Sequence, residues 1–267
     1  MFGWPAVFPA FAKAAWLGIV PEFNPFKYNS FPVNGARQSS LVARTLQQQI
    51  NRRAREGALG ELAPILTFQS VVDFTVSTRA IVNALYLNLP ANGSELVLFD
   101  INRSARFGPL LRSSIDTMLA RLLPDPPRAF KTTVIANAGP GQATMVERVT
   151  LAGATTEQTR SLGLTYPQEV LSLSHLALPF PMNDPLYGLQ PESNEYGANL
   201  GAIATRGERG TLIVSIDSLT RMSSNPFFAY MMERIEEGIG NGAKSASAAA
   251  AARLGPNADP PAAPSAR

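Results

Sequence analysis

The sequence predicts an α/β fold with a mostly parallel sheet, and two observations carry that prediction. First, a strand-type apolar run over residues 65–69 is followed by a helical pattern over 77–90 and by a second run from Glu95 to Asp100. Strand-helix-strand units of this length normally place their strands parallel in one sheet. Second, 45% of the residues are hydrophobic, which suffices for a sizeable core.

Composition excludes several classes of function. The net charge of +3 and the charged fraction of 16% are too small to indicate nucleic acid as the main partner. Cysteine is absent and histidine occurs once, so disulfides and a cysteine nucleophile are excluded and a zinc site is improbable. No phosphate loop, dinucleotide fingerprint or EF-hand is present, and we expect no metal and no cofactor.

The apolar beginning of the chain predicts neither a signal peptide nor a membrane span. No basic segment precedes it, Pro5 and Pro9 interrupt it, and Lys13 lies inside it. We expect a short interfacial or cap helix over 8–19, whose apolar side chains cover a pocket, touch lipid or pack in a core. Residues 21–35 are rich in proline and predict an irregular connector.

A second helix is predicted over 36–55, where proline and glycine are absent. Leu41, Leu46 and Ile50 mark its apolar face in this interpretation, and the arginines form a solvated face. Gly57 and Gly60 end the helix. Residues 1–62 are therefore predicted to form a helical, cap-like region.

The strand-helix-strand unit places an acid at a position of interest. Asp73 follows the first strand, Ser77 is the expected N-cap of the helix, and Ile81, Val82, Leu85 and Leu89 recur at helical spacing. Catalytic groups in parallel sheets cluster at the carboxyl ends of strands, and Asp73 occupies such a position.

Residues 104–167 look like a β-rich insertion into the core region 63–239. The pattern predicts a helix over 109–123 and strands over 131–138 and 144–151, which we interpret as a β-hairpin platform. Further along, a strand over 211–216 and a helix over 226–237 are expected. The Ala- and Pro-rich residues 240–267 predict a disordered tail.

His175 is the main candidate for proton transfer, because imidazole exchanges protons near neutral pH and the chain has no other histidine. Asp73 is the preferred acid to accompany it. Asp100, at the end of the next strand, is the rival, while Asp184 precedes a proline and is more typical of a turn. Glu208 and Arg209 predict a charged hairpin turn, and Asn102 and Arg103 a structural hydrogen bond or a polar substrate contact.

Two segments carry a resemblance to a known family. Pro64-Ile-Leu-Thr-Phe-Gln-Ser-Val-Val-Asp73 is similar to the strand and triad acid of bacterial α/β-hydrolases of the serine esterase and lipase type, and Ser172-Leu-Ser-His175-Leu-Ala-Leu-Pro-Phe-Pro resembles their histidine loop. The prolines and aromatic residues of 21–32 also resemble the cap of some of these enzymes. The resemblance covers roughly residues 1–239. It implies a partial α/β-hydrolase fold in which Asp73 orients His175 as general base.

The sequence departs from this family at the nucleophile. The family carries its serine in Gly-x-Ser-x-Gly, ahead of the acid and the histidine, and this sequence has no such motif. We therefore expect a fragment of a serine hydrolase, inactive alone, whose missing amino-terminal half carries the serine, the oxyanion donors and any export signal. Cytoplasmic localisation is only the default.

The complete enzyme implied by the resemblance cleaves carboxylic esters through an acyl-serine intermediate. The aromatic-rich beginning of the chain indicates a small-molecule ester with an apolar acyl part. The alternative is a non-catalytic binding or scaffold domain derived from the hydrolase fold, in which Asp73 and His175 need not meet.

Overall fold

The structure, a computed structural model, describes residues 13–19, 30–73, 76–103, 121–168, 170, 173, 177–201 and 223–254. The chain divides into two compact units, Met1–Glu61 and Leu62–Arg267. His175, Glu208, Arg209 and the strand predicted over 211–216 lie outside the described residues.

The first unit combines a small sheet with one long helix. Strands β1 (Trp16–Gly18) and β2 (Phe31–Pro32) pair antiparallel, and helix α1 (Val33–Arg55) follows directly. The helix predicted over 8–19 is therefore wrong at residues 16–18, because these residues form backbone hydrogen bonds with β2 instead; residues 8–12 lie outside the described part.

Helix α1 ends where the sequence predicts. Gly57 has a φ of +66°, in the left-handed region that glycine enters without steric cost, and the Ala58 amide donates to the Arg53 carbonyl at 2.8 Å. The helix begins at Val33, three residues earlier than predicted, directly after the extended Pro32. Its arginine-rich last turn also suits the negative end of the helix dipole.

The second unit is built on a five-stranded mixed sheet in the order β3-β4-β5-β6-β7. The strands are β3 (Leu66–Ser70), β4 (Glu95–Asp100), β5 (Lys131–Asn137), β6 (Thr144–Thr150) and β7 (Gln158–Thr165). Strands β3, β4 and β5 are parallel, and β6 and β7 continue the sheet antiparallel, so that four of the five strands share one direction. The predicted α/β architecture is confirmed at this level.

The predicted strand-helix-strand unit is present. Helix α2 (Thr78–Ala84) and a 3-10 turn (Tyr86–Asn88) connect β3 to β4. The Ser77 hydroxyl accepts a hydrogen bond from the Ala80 amide at 3.2 Å, which confirms Ser77 as the N-cap. The register Phe68↔Val97 aligns the two strands so that both end at one edge of the sheet.

Residues 131–165 extend this same sheet and do not form a separate platform. Strand β5 pairs along its whole length with β4, and the hairpin of β5 and β6 is the predicted one. Strand β7 was not predicted, because only Leu162 and Leu164 are large and apolar in it. The status of 104–167 as an insertion into a family pattern stays a prediction, and residues 104–120 lie outside the described part.

Two apolar clusters cover the two faces of the sheet. Leu96 and Leu98 of β4 pack with Val82 and Tyr86 on the α2 side, and Tyr86 contacts Phe130 with ring centroids 4.8 Å apart. Val97 and Phe99 point to the opposite face. They pack there with other buried residues, among them Ile135, Met145, Tyr166, Leu173, Phe227 and Tyr230.

Helix α3 (Phe228–Leu254) lies on that second face. The predicted helix over 226–237 is confirmed, but its end and the beginning of the disordered tail are corrected, since the helix continues to Leu254. Alanine has the highest helix propensity, and the run from Ala246 to Ala252 favours this extension. Among the described residues, no helix combines the length and apolar character needed to cross a membrane.

Two buried glutamates connect α3 to the sheet. Glu95 accepts a hydrogen bond from Thr133 Oγ1 at 2.7 Å and forms ion pairs with Lys131 at 3.2 Å and with Arg234 of α3. Glu147 of β6 accepts from the Tyr230 hydroxyl at 3.0 Å and pairs with Arg160 at 2.7 Å.

Truncation of Arg234 tests this connection. We expect Arg234→Met to lower the free energy of unfolding by about 2 kcal/mol, because a charged hydrogen bond to the buried Glu95 carboxylate is lost. Chemical denaturation measures the change. Arg234→Lys keeps the charge and should recover part of it, and equal stability of Arg234→Met and the parent chain would contradict a stabilising role.

Three buried tyrosines predict a loss of stability in alkali. Burial raises the pKa of Tyr86 to about 12 and raises the pKa values of Tyr166 and Tyr230, the last also through the neighbouring Glu147. An unfolded tyrosine ionises near pH 10. The native state therefore holds the protons more tightly, and the stabilisation present below pH 10 is lost as the pH rises toward and through 12.

Tyr86→Phe isolates one of these groups. The variant loses the hydrogen bonds of the hydroxyl and is less stable at neutral pH, but its stability should fall less steeply between pH 10 and 12. Denaturation at a series of pH values measures the slope. The same slope in both proteins would show that Tyr86 does not contribute.

Candidate active site

The carboxyl edge of the parallel strands brings several polar residues together. Strands β3, β4 and β5 end at Ser70, Asp100 and Asn137, and the loops that leave them lie side by side. In sheets of this kind ligands bind at this edge. It is therefore the place to look for the residues that the sequence singled out.

Asp73 lies at this edge, three residues beyond the end of β3. It is 6% exposed, and its Oδ1 accepts a hydrogen bond from the Val76 amide at 2.8 Å. The Val71 amide donates to the Phe99 carbonyl of β4 at 3.1 Å, which extends the parallel pairing toward the acid. The carboxylate is thus hydrogen-bonded within its own loop, which leaves the sheet at the edge where β4 also ends.

The base of the loop that carries Asp73 is also fixed. Gln69 is buried, and its side-chain amide donates to the Val76 carbonyl at 2.9 Å and to Thr78 Oγ1 at 3.1 Å. The Thr78 hydroxyl in turn donates to the Ser70 carbonyl at 2.9 Å. These bonds join the end of β3 to the beginning of α2, so the loop is closed at both ends.

His175 lies outside the described residues. Its sequence neighbours Leu173 and Ala177 are both fully buried. They belong to the apolar cluster that contains Phe99 and Ile101 at the end of β4. The residues two positions before and two positions after the histidine are thus buried in the cluster on the α3 face of the sheet.

Asn102, in the loop after β4, forms hydrogen bonds with the segment that precedes His175. Its side-chain amide donates to the Pro167 carbonyl at 2.8 Å and to the Val170 carbonyl at 2.6 Å, and the residue is 1% exposed. Asn102 has a φ of +55°, a left-handed conformation that asparagine tolerates better than most residues. The expectation of a structural hydrogen bond at Asn102 is confirmed.

Asn137 completes this tether from the end of β5. Its Oδ1 accepts from the Asn102 amide at 2.7 Å, and its side-chain amide donates to Asn102 Oδ1 at 3.0 Å and to the Gln142 carbonyl at 2.7 Å. Sequence reasoning missed Asn137. The signal was a polar residue at the carboxyl end of a strand, the same end of the sheet at which Asp73 drew attention.

Asp100, the rival acid, forms an ion pair with Arg103 at 2.8 Å. Both residues line a cleft of about 370 Å³ together with Asn137, Arg148 and Thr159. The polar lining of this cleft comes from the ends of β4 and β5, from Arg103, and from Arg148 of β6 and Thr159 of β7. The Arg103 guanidinium neutralises the Asp100 carboxylate and makes Asp100 less available as a partner for a histidine.

Asp184 has a local structural role. Its Oδ1 accepts hydrogen bonds from the Leu186 amide at 3.0 Å and the Tyr187 amide at 2.7 Å, an arrangement typical of a turn. The prediction of a turn at Asp184 is confirmed. The part of the chain that the structure describes contains no group of three or more His, Cys, Asp or Glu side chains suited to hold a metal ion.

The fold and the carboxyl edge of its sheet define an α/β protein in which a buried acid, Asp73, follows a parallel strand. Comparison of the chain with family models, with curated proteins and with solved structures finds no match. The function is therefore argued from the residues of the candidate site.

Loss of the Asn102 side chain tests the tether. Asn102→Gly accommodates the positive φ but leaves the Pro167 and Val170 carbonyls without their donor, and we expect a loss of about 2 kcal/mol in the free energy of unfolding. Asn102→Ala should lose about 1 kcal/mol more through backbone strain.

Hydrogen exchange locates the effect of these variants. The amides of residues 170–178 should exchange faster in Asn102→Gly, while the amides of β6, at the other side of the sheet, exchange as before once global stability is allowed for. Unchanged exchange over 170–178 would show that Asn102 does not hold this segment.

Proposed function

We propose that this chain provides the acid and the general base of a serine hydrolase of the α/β type that cleaves carboxylic esters. In this proposal Asp73 orients the imidazole of His175 and stabilises its cation. His175 takes the proton of a serine hydroxyl as the ester is attacked and later passes it to the leaving group. The product of the first half-reaction is an acyl-serine, which water hydrolyses.

The observation that carries the proposal is that two segments, the loop with Asp73 and the segment before His175, are both hydrogen-bonded at the carboxyl edge of the sheet. Asp73 is buried and oriented in the loop after β3. The segment that leads to His175 is hydrogen-bonded to Asn102 in the loop after β4, the neighbouring parallel strand. An acid and a base that must meet need this kind of common edge.

The nucleophile has to come from polypeptide other than this sequence. A strained Gly-x-Ser-x-Gly turn is absent from all 267 residues, and the oxyanion donor that follows the serine is absent with it. Strand β3 is an outer strand of the sheet, and no strand among the described residues pairs with its free edge. A further parallel strand added to β3 would end at the candidate edge, next to Asp73.

An ester with an apolar acyl part is the proposed substrate. This part of the proposal rests on the aromatic-rich beginning of the sequence, since aromatic side chains favour contact with an apolar chain over a charged one.

A non-catalytic binding or scaffold domain is the second candidate. The absence of the nucleophile motif favours it, because removing one triad member leaves only a small residue of catalysis. This alternative makes no demand on the distance between Asp73 and His175. The protonation behaviour of the imidazole therefore separates the two candidates.

The single histidine makes a direct test possible. In a chain labelled with ¹⁵N-histidine, all imidazole signals belong to His175. We expect Asp73→Asn to lower the titration midpoint of the imidazole, because a neighbouring carboxylate stabilises the imidazolium. The neutral form of the parent chain should carry its proton on the nitrogen that faces Asp73, and this tautomer preference should weaken in the variant.

Asp100→Asn is the matched control, since it removes one carboxylate from the same edge. It should leave the midpoint nearly unchanged. A shift in Asp100→Asn but not in Asp73→Asn would make Asp100 the acid. A midpoint that neither substitution moves would mean that neither Asp73 nor Asp100 meets His175, and this result would favour the non-catalytic alternative.

A further inference from the structure

Helix α1 carries a one-sided distribution of positive charge. Its 23 residues include five arginines, at 37, 44, 52, 53 and 55, and no aspartate or glutamate. At 100° per residue, Arg37, Arg44 and Arg55 lie within about 20° of one another around the helix axis, and Arg52 lies about 60° from them. Four of the five cations therefore share one side of the helix.

The opposite side of α1 carries exposed aliphatic residues, with Arg53 among them. Val42, Leu46 and Ile50 are spaced four residues apart and form one stripe. Val42 is 66% exposed and Leu46 59% exposed, while Ile50 is half-buried. This geometry corrects the predicted apolar face, because Leu41 falls about 140° away from Leu46, among the arginines.

The small sheet of the same unit is also apolar on its surface. Leu17 and Ile19 are exposed at and beside β1, together with the aromatic side chains of Trp16 and Phe31, which are 42% and 53% exposed. These exposed aromatic and aliphatic side chains belong to the same unit as the arginines of α1. We call α1 together with Trp16, Leu17, Ile19 and Phe31 the basic-apolar surface.

We propose that the basic-apolar surface binds the headgroup region of an anionic lipid membrane. A helix that lies in the plane of a bilayer has arginine or lysine on its polar side, near the lipid phosphates, and aliphatic or aromatic residues on the side that enters the acyl boundary. Five cations, with no acid inside the helix and Glu56 at its C-cap, match a negatively charged bilayer, and Val42 and Leu46 lose their exposure to water on insertion.

This composition distinguishes a membrane from the other polyanion that arginines recognise. Nucleic acid would engage the arginines through its phosphates but would leave Val42, Leu46 and Leu17 in water. A bilayer interface satisfies both halves of the surface at once. The inference does not rest on the proposed ester hydrolysis, since it concerns binding alone.

Sedimentation with vesicles tests the proposal on the full chain. We expect the protein to bind vesicles made of equal parts of phosphatidylcholine and phosphatidylglycerol and to remain in solution with phosphatidylcholine alone. Binding should weaken as salt is added. Arg44→Gln with Arg55→Gln should reduce the partition coefficient about thirtyfold, at roughly fivefold for each cation near the surface.

Matched variants separate charge from position. Arg79→Gln with Arg121→Gln removes two exposed arginines from the second unit and should leave vesicle binding unchanged. Val42→Gln with Leu46→Gln keeps every charge and should also reduce binding, which a purely electrostatic attraction would not predict. Circular dichroism checks that each variant retains its helix content.

Three results would overturn the proposal. The first is no binding to the anionic vesicles by the parent chain. The second is equal loss of binding in the two arginine double variants, which would indicate an effect of net charge alone. The third is binding to duplex DNA that depends on Arg44 and Arg55 but not on Val42 and Leu46, which would assign the surface to nucleic acid.

Discussion

The second unit depends on the buried residue Glu95, because its backbone contacts Tyr86 on one face of the sheet and its carboxylate contacts α3 on the other. The Glu95 amide donates to the Ile65 carbonyl at 2.9 Å, just before β3, and its own carbonyl accepts from the Tyr86 hydroxyl at 2.7 Å on the α2 side. Its carboxylate meets Thr133 and Lys131 of β5 and Arg234 of α3. A carboxylate with so little exposure is stable only when such partners are present, so the two strands and the helix have to assemble together.

At the opposite end of the same strands, the parallel pairing determines where chemistry is possible. Since β3, β4 and β5 all point one way, the loops with Asp73 and Asn102 and the end of β5 at Asn137 converge. The left-handed backbone at Asn102 costs free energy that its two hydrogen bonds to the 167–170 segment offset. The amino ends of the strands thus hold the fold together, and the carboxyl ends hold the candidate site.

The two units present surfaces of different chemistry. In the second unit, no strand among the described residues pairs with the outer edge of β3, and a further strand can pair with its backbone amides and carbonyls. In the first unit, α1 offers arginines and aliphatic side chains. Backbone pairing at a strand edge requires another polypeptide strand, whereas a surface that combines positive charge with apolar side chains suits a fluid anionic membrane. The proposed completion of the active site and the proposed membrane contact therefore use separate parts of the chain.

Local signals in the sequence determined the elements whose physics is local. Ser77 caps α2, Asp184 forms its turn and Gly57 ends α1, because each bonds or bends within a few residues. The continuous apolar run of β4 is typical of a buried central strand, and its side chains are buried. Tertiary structure decided what distant segments do to one another. It pairs the largely polar β7 with β6, brings Glu95 together with Arg234, and joins Asn137 to Asn102 by a hydrogen bond. The neighbours of a strand and the partners of a buried charge are set by the whole assembly and not by the residues beside them in sequence.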